Sequence, residues 1–337
     1  MTTESDMAPA PLRAADFSLD FPFSLGRPVA IAGFRTLCAD FVVEEELGFT
    51  PEGGGEHLYL HIRKENQNTR WVAKLLAEYF AVEEQAVGYS GLKDRHAITS
   101  QWFSIHLPGA ENPLPLPIVE GCEILASSRH PRKLRPGTHL RNHFEIRLRD
   151  VSGSSRQEID ARLEAIVVNG VPNYFGEQRF GIDGGNLREV EKILAQRQPR
   201  FKGRRGGLYL SAARSWLFNQ VLAARVLDNS WRAAQAATDD SAATQADGPL
   251  WGRGRSQVDA ELAAREADIL APWQHWCHGL EHSGLKQERR PLALMPGNLQ
   301  WRWEGSDLIL QFSLPPGCYA TAVLRELAVL TVPEAMV

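Results

Sequence analysis

The spacing of hydrophobic positions changes several times along the chain, and each change marks an element. In "HLYLHIRK", Leu58, Leu60 and Ile62 alternate with Tyr59, His61 and Arg63, the period of two that predicts a half-buried strand. "NTRWVAKLLAEYF" switches to a helical period. Val72, Leu75, Leu76, Tyr79 and Phe80 fall at i, i+3, i+4, i+7 and i+8, behind Asn68 or Thr69 as N-cap. Before these, "DFVVEEELGF" (Asp40–Phe49) predicts a short strand running into the turn "TPEGGGEH". After them, "QWFSIHL" and "NHFEIRLRD" predict two more strands, and "EIDARLEAIVVNG" a helix ending at Gly170. The texture then changes. Long helical stretches follow "VPNYFGEQRFG", and "RAAQAATDDSAATQADG" predicts a surface loop or disordered tip over about 231–247. A helix rich in His and Trp precedes renewed alternation in "LQWRWEGSDLILQFSLPPG" and a closing helix, "TAVLREL". Sheet-rich, helix-rich, then sheet-rich order suits an α+β domain carrying an insertion better than two successive domains.

Composition adds limits. The 337 residues are 43% hydrophobic and 23% charged, ordinary for a globular protein, with net charge −4. The chain as a whole is therefore no basic nucleic-acid binder, and any such contact must come from local patches. Two windows lack acidic residues. Ile124–Arg141 holds Arg129, Arg132, Lys133, Arg135 and Arg141 beside His130 and His139. Lys192–Leu227 holds eight Lys or Arg, Arg204 and Arg205 among them. Such segregation suits a phosphate backbone, which draws cations through counterion release; a solvated basic face is the plainer alternative. Cys38, Cys122, Cys277 and Cys318 lie far apart, as expected for reduced packing thiols in a cytoplasmic protein. The first 20 residues have neither the basic nor the apolar region of a signal peptide, and no run approaches 18 apolar residues. A partly ordered arm and no membrane span are expected.

The stretch "GYSGLKDRHAITSQWF" carries the sharpest candidate chemistry. Asp94 stands between Lys93 and Arg95, ahead of His96, on a glycine-rich loop before a strand. Two readings stand: a solvated ion-pair cluster, or an ionised nucleophile or base beside an anionic substrate. The loop lacks P-loop spacing, and the chain has no Rossmann glycine fingerprint, no GxSxG and no HExxH, so no cofactor is expected. His275, His278 and His282 share a helical face without an acidic or cysteine partner of suitable spacing, so no metal is expected either. Read alone, Phe41, Phe144 and Tyr319 are ordinary core aromatics, and Asn142 is a turn or cap residue.

Taken together and in order, "ADFVVEEELGF", "NTRWVAKLLA", "GYSGLKDRHAITSQWF", "RHPRKLRPG", "NHFEIRLR", "VPNYFGEQRFG", "LSAARSWLFNQVLAARV" and "LPPGCYATAVLREL" resemble the tRNA pseudouridine synthase D family. The match thins before about residue 25 and across 231–247. The resemblance implies a pseudouridine-synthase catalytic domain with a mixed sheet and flanking helices (26–169 and 295–337). A TRUD domain (170–294) interrupts it, and an arm (1–25) precedes it. The implied activity is conversion of uridine 13 of tRNA to pseudouridine, without a cofactor.

Carried over by position, the catalytic aspartate falls on Asp94 and the aromatic of the "DF" motif on Phe41. The "NxF" pair falls on Asn142 and Phe144, and a late aromatic on Tyr319. The chain departs from the family twice: Arg35 stands where a lysine is common, and Tyr319 where phenylalanine is. Arginine keeps the charge but not the geometry.

A carboxylate suits this chemistry because its ordinary pKa is roughly 3.9. It can attack C1′ or take a ribose proton, with Lys93, Arg95 or another arginine as the cation beside it. Phe41, Phe144 and Tyr319 would then wall a flipped base, and Asn142 would read its edge or position Asp94. Arg132, Lys133, Arg135, Arg204 and Arg205 would hold the RNA backbone. tRNA is the expected partner, with no membrane and no obligatory protein partner. The rival readings are the same chemistry on another RNA site and a non-catalytic RNA-binding protein.

Overall fold

The computed structural model describes residues 17–109, 115–196, 199–203, 205–232, 246–256 and 258–333. Arg204, most of the 231–247 tip and the first sixteen residues of the expected arm lie outside these. The chain divides into two compact units. One is Ser24–Asn173 with the segment from Ala293 onward; the other is Tyr174–Leu292 with the segment ending at Phe23.

The first unit is built on one large mixed sheet. In chain order its strands begin with β1 (Ile31–Phe34), β2 (Phe41–Glu46), β3 (His57–Glu65), β4 (Val87–Tyr89), β5 (Ile98–His106), β6 (Cys122–His130) and β7 (Arg141–Ser152). Helices α1 (Thr69–Tyr79) and α2 (Arg156–Asn169) join them, and β8 (Val171–Pro172) ends this part. The chain returns through β11 (Ala293–Leu294), β12 (Gly297–Glu304), β13 (Asp307–Leu314), α7 (Ala320–Leu324) and β14 (Val329–Thr331). The intervening unit holds α3 (Gly185–Leu194), α4 (Gly206–Leu227), β9 (Asp247–Leu250), α5 (Ala260–Ile269), α6 (Gln274–Glu281) and β10 (Glu288–Pro291). No helix among the described residues is long and apolar enough to cross a membrane.

The main path of the sheet runs β12-β13-β7-β2-β5-β3-β6. Its register sorts side chains between two faces. Val43 lies opposite Phe144 and Thr99, Phe144 opposite Phe312, and Thr99 opposite Lys64. Because partnered residues share a face, Phe41, Val43, Glu45, Asn142, Phe144, Ile146, Gln101 and Lys64 all project from one side. Both helices pack on that side. Ile159, Leu163 and Ile166 of α2 join the core of Phe41, Val43, Ile146, Leu310 and Phe312. Val72 and Leu76 of α1 cover Leu58, Leu60, Ile62 and Phe103.

Local signals explain the helix limits. The Asn68 side chain accepts from the Arg70 N–H and starts α1. Ser155 and Glu158 form a capping box that starts α2. Gly170 ends α2 at φ 69°, where an added Cβ would lie 2.6 Å from the Leu294 carbonyl. β8 and β11 pair directly beyond it, so the sheet unit closes over the point where the chain departs and returns.

Several elements departed from the period-based expectation. β3 is not half-buried: Tyr59 is as buried as Leu58, and Lys64 at its end is fully buried. β6 occupies part of the first basic window, where mixed polar residues hid the alternation. β1 and β14 were missed because each is short, with partners far away in sequence.

The second unit is held by aromatic packing. Phe17 lies 5.4 Å from Trp216 and 5.7 Å from Trp276, while Phe21 stacks on Tyr174 at 5.1 Å. The end of the expected arm therefore supplies core side chains. Truncating a buried Phe costs about 3–5 kcal/mol. Phe17→Ala and Phe21→Ala should each lower the unfolding free energy measured in urea by an amount in that range. A loss below about 1 kcal/mol in both variants would show that the segment is dispensable.

Candidate functional site

Arg35 and Phe41 are positioned by the turn between β1 and β2. Asp40, 1% exposed, receives two hydrogen bonds from the Arg149 guanidinium, at 2.8 and 2.7 Å, and one from the Leu37 N–H at 2.8 Å. This buried carboxylate staples the turn to β7. Arg35 stands in that turn at φ 56°, a left-handed backbone that a non-glycine residue adopts at some cost. Its guanidinium lies over the Phe41 ring at 4.1 Å and the Phe34 ring at 4.9 Å. From there Arg35 Nη2 reaches the Asp94 carboxylate at 2.8 Å.

Asp94 belongs to the loop between β4 and β5, and its side chain is 39% exposed. Side chains of the sheet face and of α1 fasten this loop. Gln101 Nε2 donates to the Gly91 carbonyl at 3.1 Å, and Thr69 Oγ1 accepts from the Lys93 N–H at 3.0 Å. Thr69 and Gln101 also bond each other at 2.9 Å, entirely buried. Lys64 Nζ donates to the Asp94 carbonyl at 3.0 Å and to the Gln67 carbonyl at 2.7 Å. The carboxylate is thus presented outward while its backbone is gripped from below.

Lys93 does not reach Asp94. Its ammonium pairs with Glu45 at 2.5 Å, both side chains being at most 5% exposed. Glu45 Oε1 also accepts from the Trp102 N–H at 3.2 Å. Arg95 turns away too, donating to the Asn66 carbonyl at 3.4 Å. Of the cations expected around Asp94, the distant arginine is the one in contact. Adjacent residues in an extended loop point in different directions, whereas Arg35 arrives across the sheet face.

On β7, Asn142 Nδ2 lies 3.0 Å from His139 Nε2, and Asn142 Oδ1 is buried without a protein partner. Burial, reinforced by the nearby Lys93, lowers the His139 pKa and favours the neutral ring that accepts at Nε2. Phe144 is half-buried and stacks on Phe312 at 5.4 Å. Phe41 is only 2% exposed, meeting Phe144 edge-on at 6.0 Å, and Arg35 covers its ring. It supports Arg35 and is not an open stacking platform here. Tyr319 is half-buried at the N-terminus of α7, just beyond β13, whose Leu314 lies opposite Asn142.

The basic windows divide. Arg132 and Arg135 are exposed, while Lys133 is half-buried and donates to the Gln85 carbonyl. Arg129, by contrast, is buried with its guanidinium on the Leu107 carbonyl at 3.1 Å, and Arg141 pairs with Glu46 at 3.5 Å. In the second window Arg205 is exposed. Arg214 binds Glu288 and two backbone carbonyls, and Arg225 is buried against Ser230. An acid-free run of sequence therefore does not make one free basic surface, because acidic partners arrive from distant segments. His275 pairs with Glu191 at 3.1 Å, and no metal-holding group of side chains occurs among the described residues. A 450 Å³ groove lined mainly by Val42, Glu44, His143, Glu145, Gln311 and Ser313 opens on the opposite sheet face, away from Asp94.

Sequence reasoning missed Asp40, Glu45, Lys64, Thr69 and Gln101. Polar residues at inward-facing strand positions were the available signal, for Glu45 and Lys64 most clearly.

Comparison with known proteins adds independent findings. A family model for tRNA pseudouridine synthase D (TruD) matches residues 28–201 and 265–327. A tRNA pseudouridine synthase D of Cellvibrio japonicus is 49% identical over 319 residues, covering 93% of this chain and 94% of the relative. One of Aeromonas hydrophila is 43% identical, covering 90% and 92%. A crystal structure from Methanosarcina mazei, provisionally described as tRNA pseudouridine synthase D, shares the fold with a TM-score of 0.66. It is 18% identical and covers 91% of this chain and 95% of its own.

Removing one partner of a buried ion pair leaves an uncompensated charge, at about 3–5 kcal/mol. Lys93→Met should lose that much in denaturant unfolding. Adding Glu45→Gln should recover most of the loss. Additive losses in the double variant would mean that the two groups are not coupled.

Proposed function

The chain belongs to the tRNA pseudouridine synthase D family, and on that premise we propose that Asp94 is the group that breaks and remakes the glycosidic link. The activity is the isomerisation of uridine to pseudouridine in tRNA, and uridine 13 is the proposed position. The observation that carries the assignment is the pairing of a part-exposed Asp94 with Arg35 at 2.8 Å on a loop held by buried side chains. Preorganised charge of this kind needs no rearrangement when the reaction begins.

Pseudouridine formation breaks N1–C1′, turns the uracil, joins C5 to C1′ and releases the C5 proton. Attack by the carboxylate at C1′ and removal of a ribose proton both require an ionised Asp94 and satisfy this balance. The target base leaves its stack, at a cost of a few kcal/mol. Stacking on an aromatic returns about 1–3 kcal/mol, and half-buried Phe144 and Tyr319 are the walls placed for it. The open acceptor of Asn142 suits the N3–H of uracil, because the neutral His139 ring takes up its amide donor. Cytosine offers an acceptor at that atom and would be refused.

Arg132, Lys133, Arg135 and Arg205, with Arg204 outside the described residues, supply phosphate contacts. The 170–294 segment serves as the family's inserted domain. A tRNA substrate supports a cytoplasmic location.

Tritium release from tRNA labelled at uridine C5 tests the reading. Wild type should release label, and Asp94→Asn should release none while binding tRNA with unchanged affinity. Full activity in Asp94→Asn would remove the carboxylate from the chemistry, and no release by folded wild type would sink the synthase reading. For the backbone contacts, Arg132→Gln with Arg135→Gln should lower the slope of log affinity against log salt by about 2, close to 1 per phosphate contact. An unchanged slope would place both arginines outside the RNA interface.

A further inference from the structure

Lys64 is the buried cation that the reaction as described leaves unused. It closes β3, faces the same side of the sheet as Thr99 and Glu45, and is 0% exposed. An ammonium taken out of water costs several kcal/mol unless a partner compensates it. Lys64 has no carboxylate within ion-pair distance among the described residues. Its two acceptors are backbone carbonyls, those of Gln67 and of Asp94 itself. An apolar side chain would fill the site without that cost, so the charge calls for an explanation in what it touches.

We propose that Lys64 is a positioning residue for the reaction, gripping the Asp94 carbonyl so that the carboxylate above it meets Arg35 and the ribose at a fixed angle. This inference rests on the assignment of Asp94 made above and adds a residue that does not itself touch substrate. The reasoning is geometric. Gln101 holds the loop at Gly91 and Thr69 holds it at Lys93, but the Lys64 ammonium is the side-chain donor on the Asp94 carbonyl. Misplacing a reacting group by about 1 Å costs about 100-fold in rate.

The charge state supports the same role. Burial lowers the Lys64 pKa to about 8, with Lys93 acting in the same direction. The Asp94 carboxylate and the Cys122 thiol oppose that shift, and Cys122 sits opposite Lys64 on β6 with its own pKa pushed up to about 11 by burial. Lys64 therefore loses its proton as pH rises through about 8, well before Cys122 ionises. The grip on Asp94 loosens with it. Linkage has the opposite sign for stability: between about 8 and the ordinary 10.5 the unfolded chain binds the extra proton, so this residue penalises folding less as pH rises. Activity and stability should thus diverge on the alkaline side.

Single-turnover tritium release by wild type, Lys64→Met and Lys64→Arg, read from pH 6.5 to 9.5 beside tRNA binding, tests the proposal; the pH range brackets a midpoint of about 8. The wild-type rate should fall above about pH 8. Lys64→Met should lose about 100-fold in rate at neutral pH with affinity for tRNA within about twofold, and should show no such alkaline fall. Lys64→Arg, which stays charged, should regain part of the rate and also remain flat. A Lys64→Met rate close to wild type overturns the proposal, as does an equal loss of binding and rate. If Lys64→Met does not fold, the wild-type profile decides: a rate that does not fall across pH 8 overturns it. A wild type with no release at all, matching Asp94→Asn, would instead indict the synthase reading. An active wild type beside an equally active Lys64→Met indicts only the role given to Lys64.

Discussion

Charge buried beneath a part-exposed carboxylate is the constraint around which this site is organised. Lys93 and Glu45 are sealed together on the sheet face, and Lys64 is sealed beside them with only carbonyl oxygens as acceptors. Neither arrangement is the cheapest way to fill a core, since apolar groups of the same shape serve stability as well or better. What the charges add is direction. Each hydrogen bond ties the Asp94 loop to one strand or helix at one place, so the carboxylate cannot drift toward the cations beside it in sequence.

The same logic places Arg35. Its backbone is strained at positive φ, and that strain is held by the Asp40 carboxylate, clamped by Arg149 and by the Leu37 N–H. Phe41 and Phe34 fix the guanidinium through their ring faces. Arg35 arrives from a turn and Asp94 from a loop 59 residues later. The single bond between them depends on β2 lying between β7 and β5. The family resemblance expected a cation near the "DF" motif, and the geometry gives it a partner. An arginine offers a planar group that can lie on two rings while donating at its edge, which a lysine cannot reproduce.

The aromatic residues divide by burial in a way that their identity alone did not foretell. Phe41 is a covered support, whereas Phe144 and Tyr319 retain exposed surface. The basic windows divide likewise, with Arg129, Arg214 and Arg225 drawn into structural contacts and Arg132, Arg135 and Arg205 left at the surface. In both cases residue type alone does not separate a side chain drawn into the structure from one left at the surface, because the partners that bury it come from distant segments.

Periodicity by itself determined most of β2, β3, β5 and β7 and the helices α1 and α2, with Asn68 as a start signal for the first and Gly170 as the end of the second. Those signals are local, set by side chains two to four residues apart. Order along the chain also determined the sheet, helix, sheet succession, and the motif blocks marked Asp94 as the residue to examine. Short strands such as β1 and β14 carried no period long enough to read. Only the tertiary structure decided which cation meets Asp94, because Lys93, one residue away, is turned into the sheet toward Glu45 while Arg35 crosses from another strand connection. Only the tertiary structure revealed Lys64 as the donor beneath Asp94: its place on the Leu58, Leu60, Ile62 phase of β3 marks an inward side chain, but which backbone it meets depends on a loop thirty residues away in sequence.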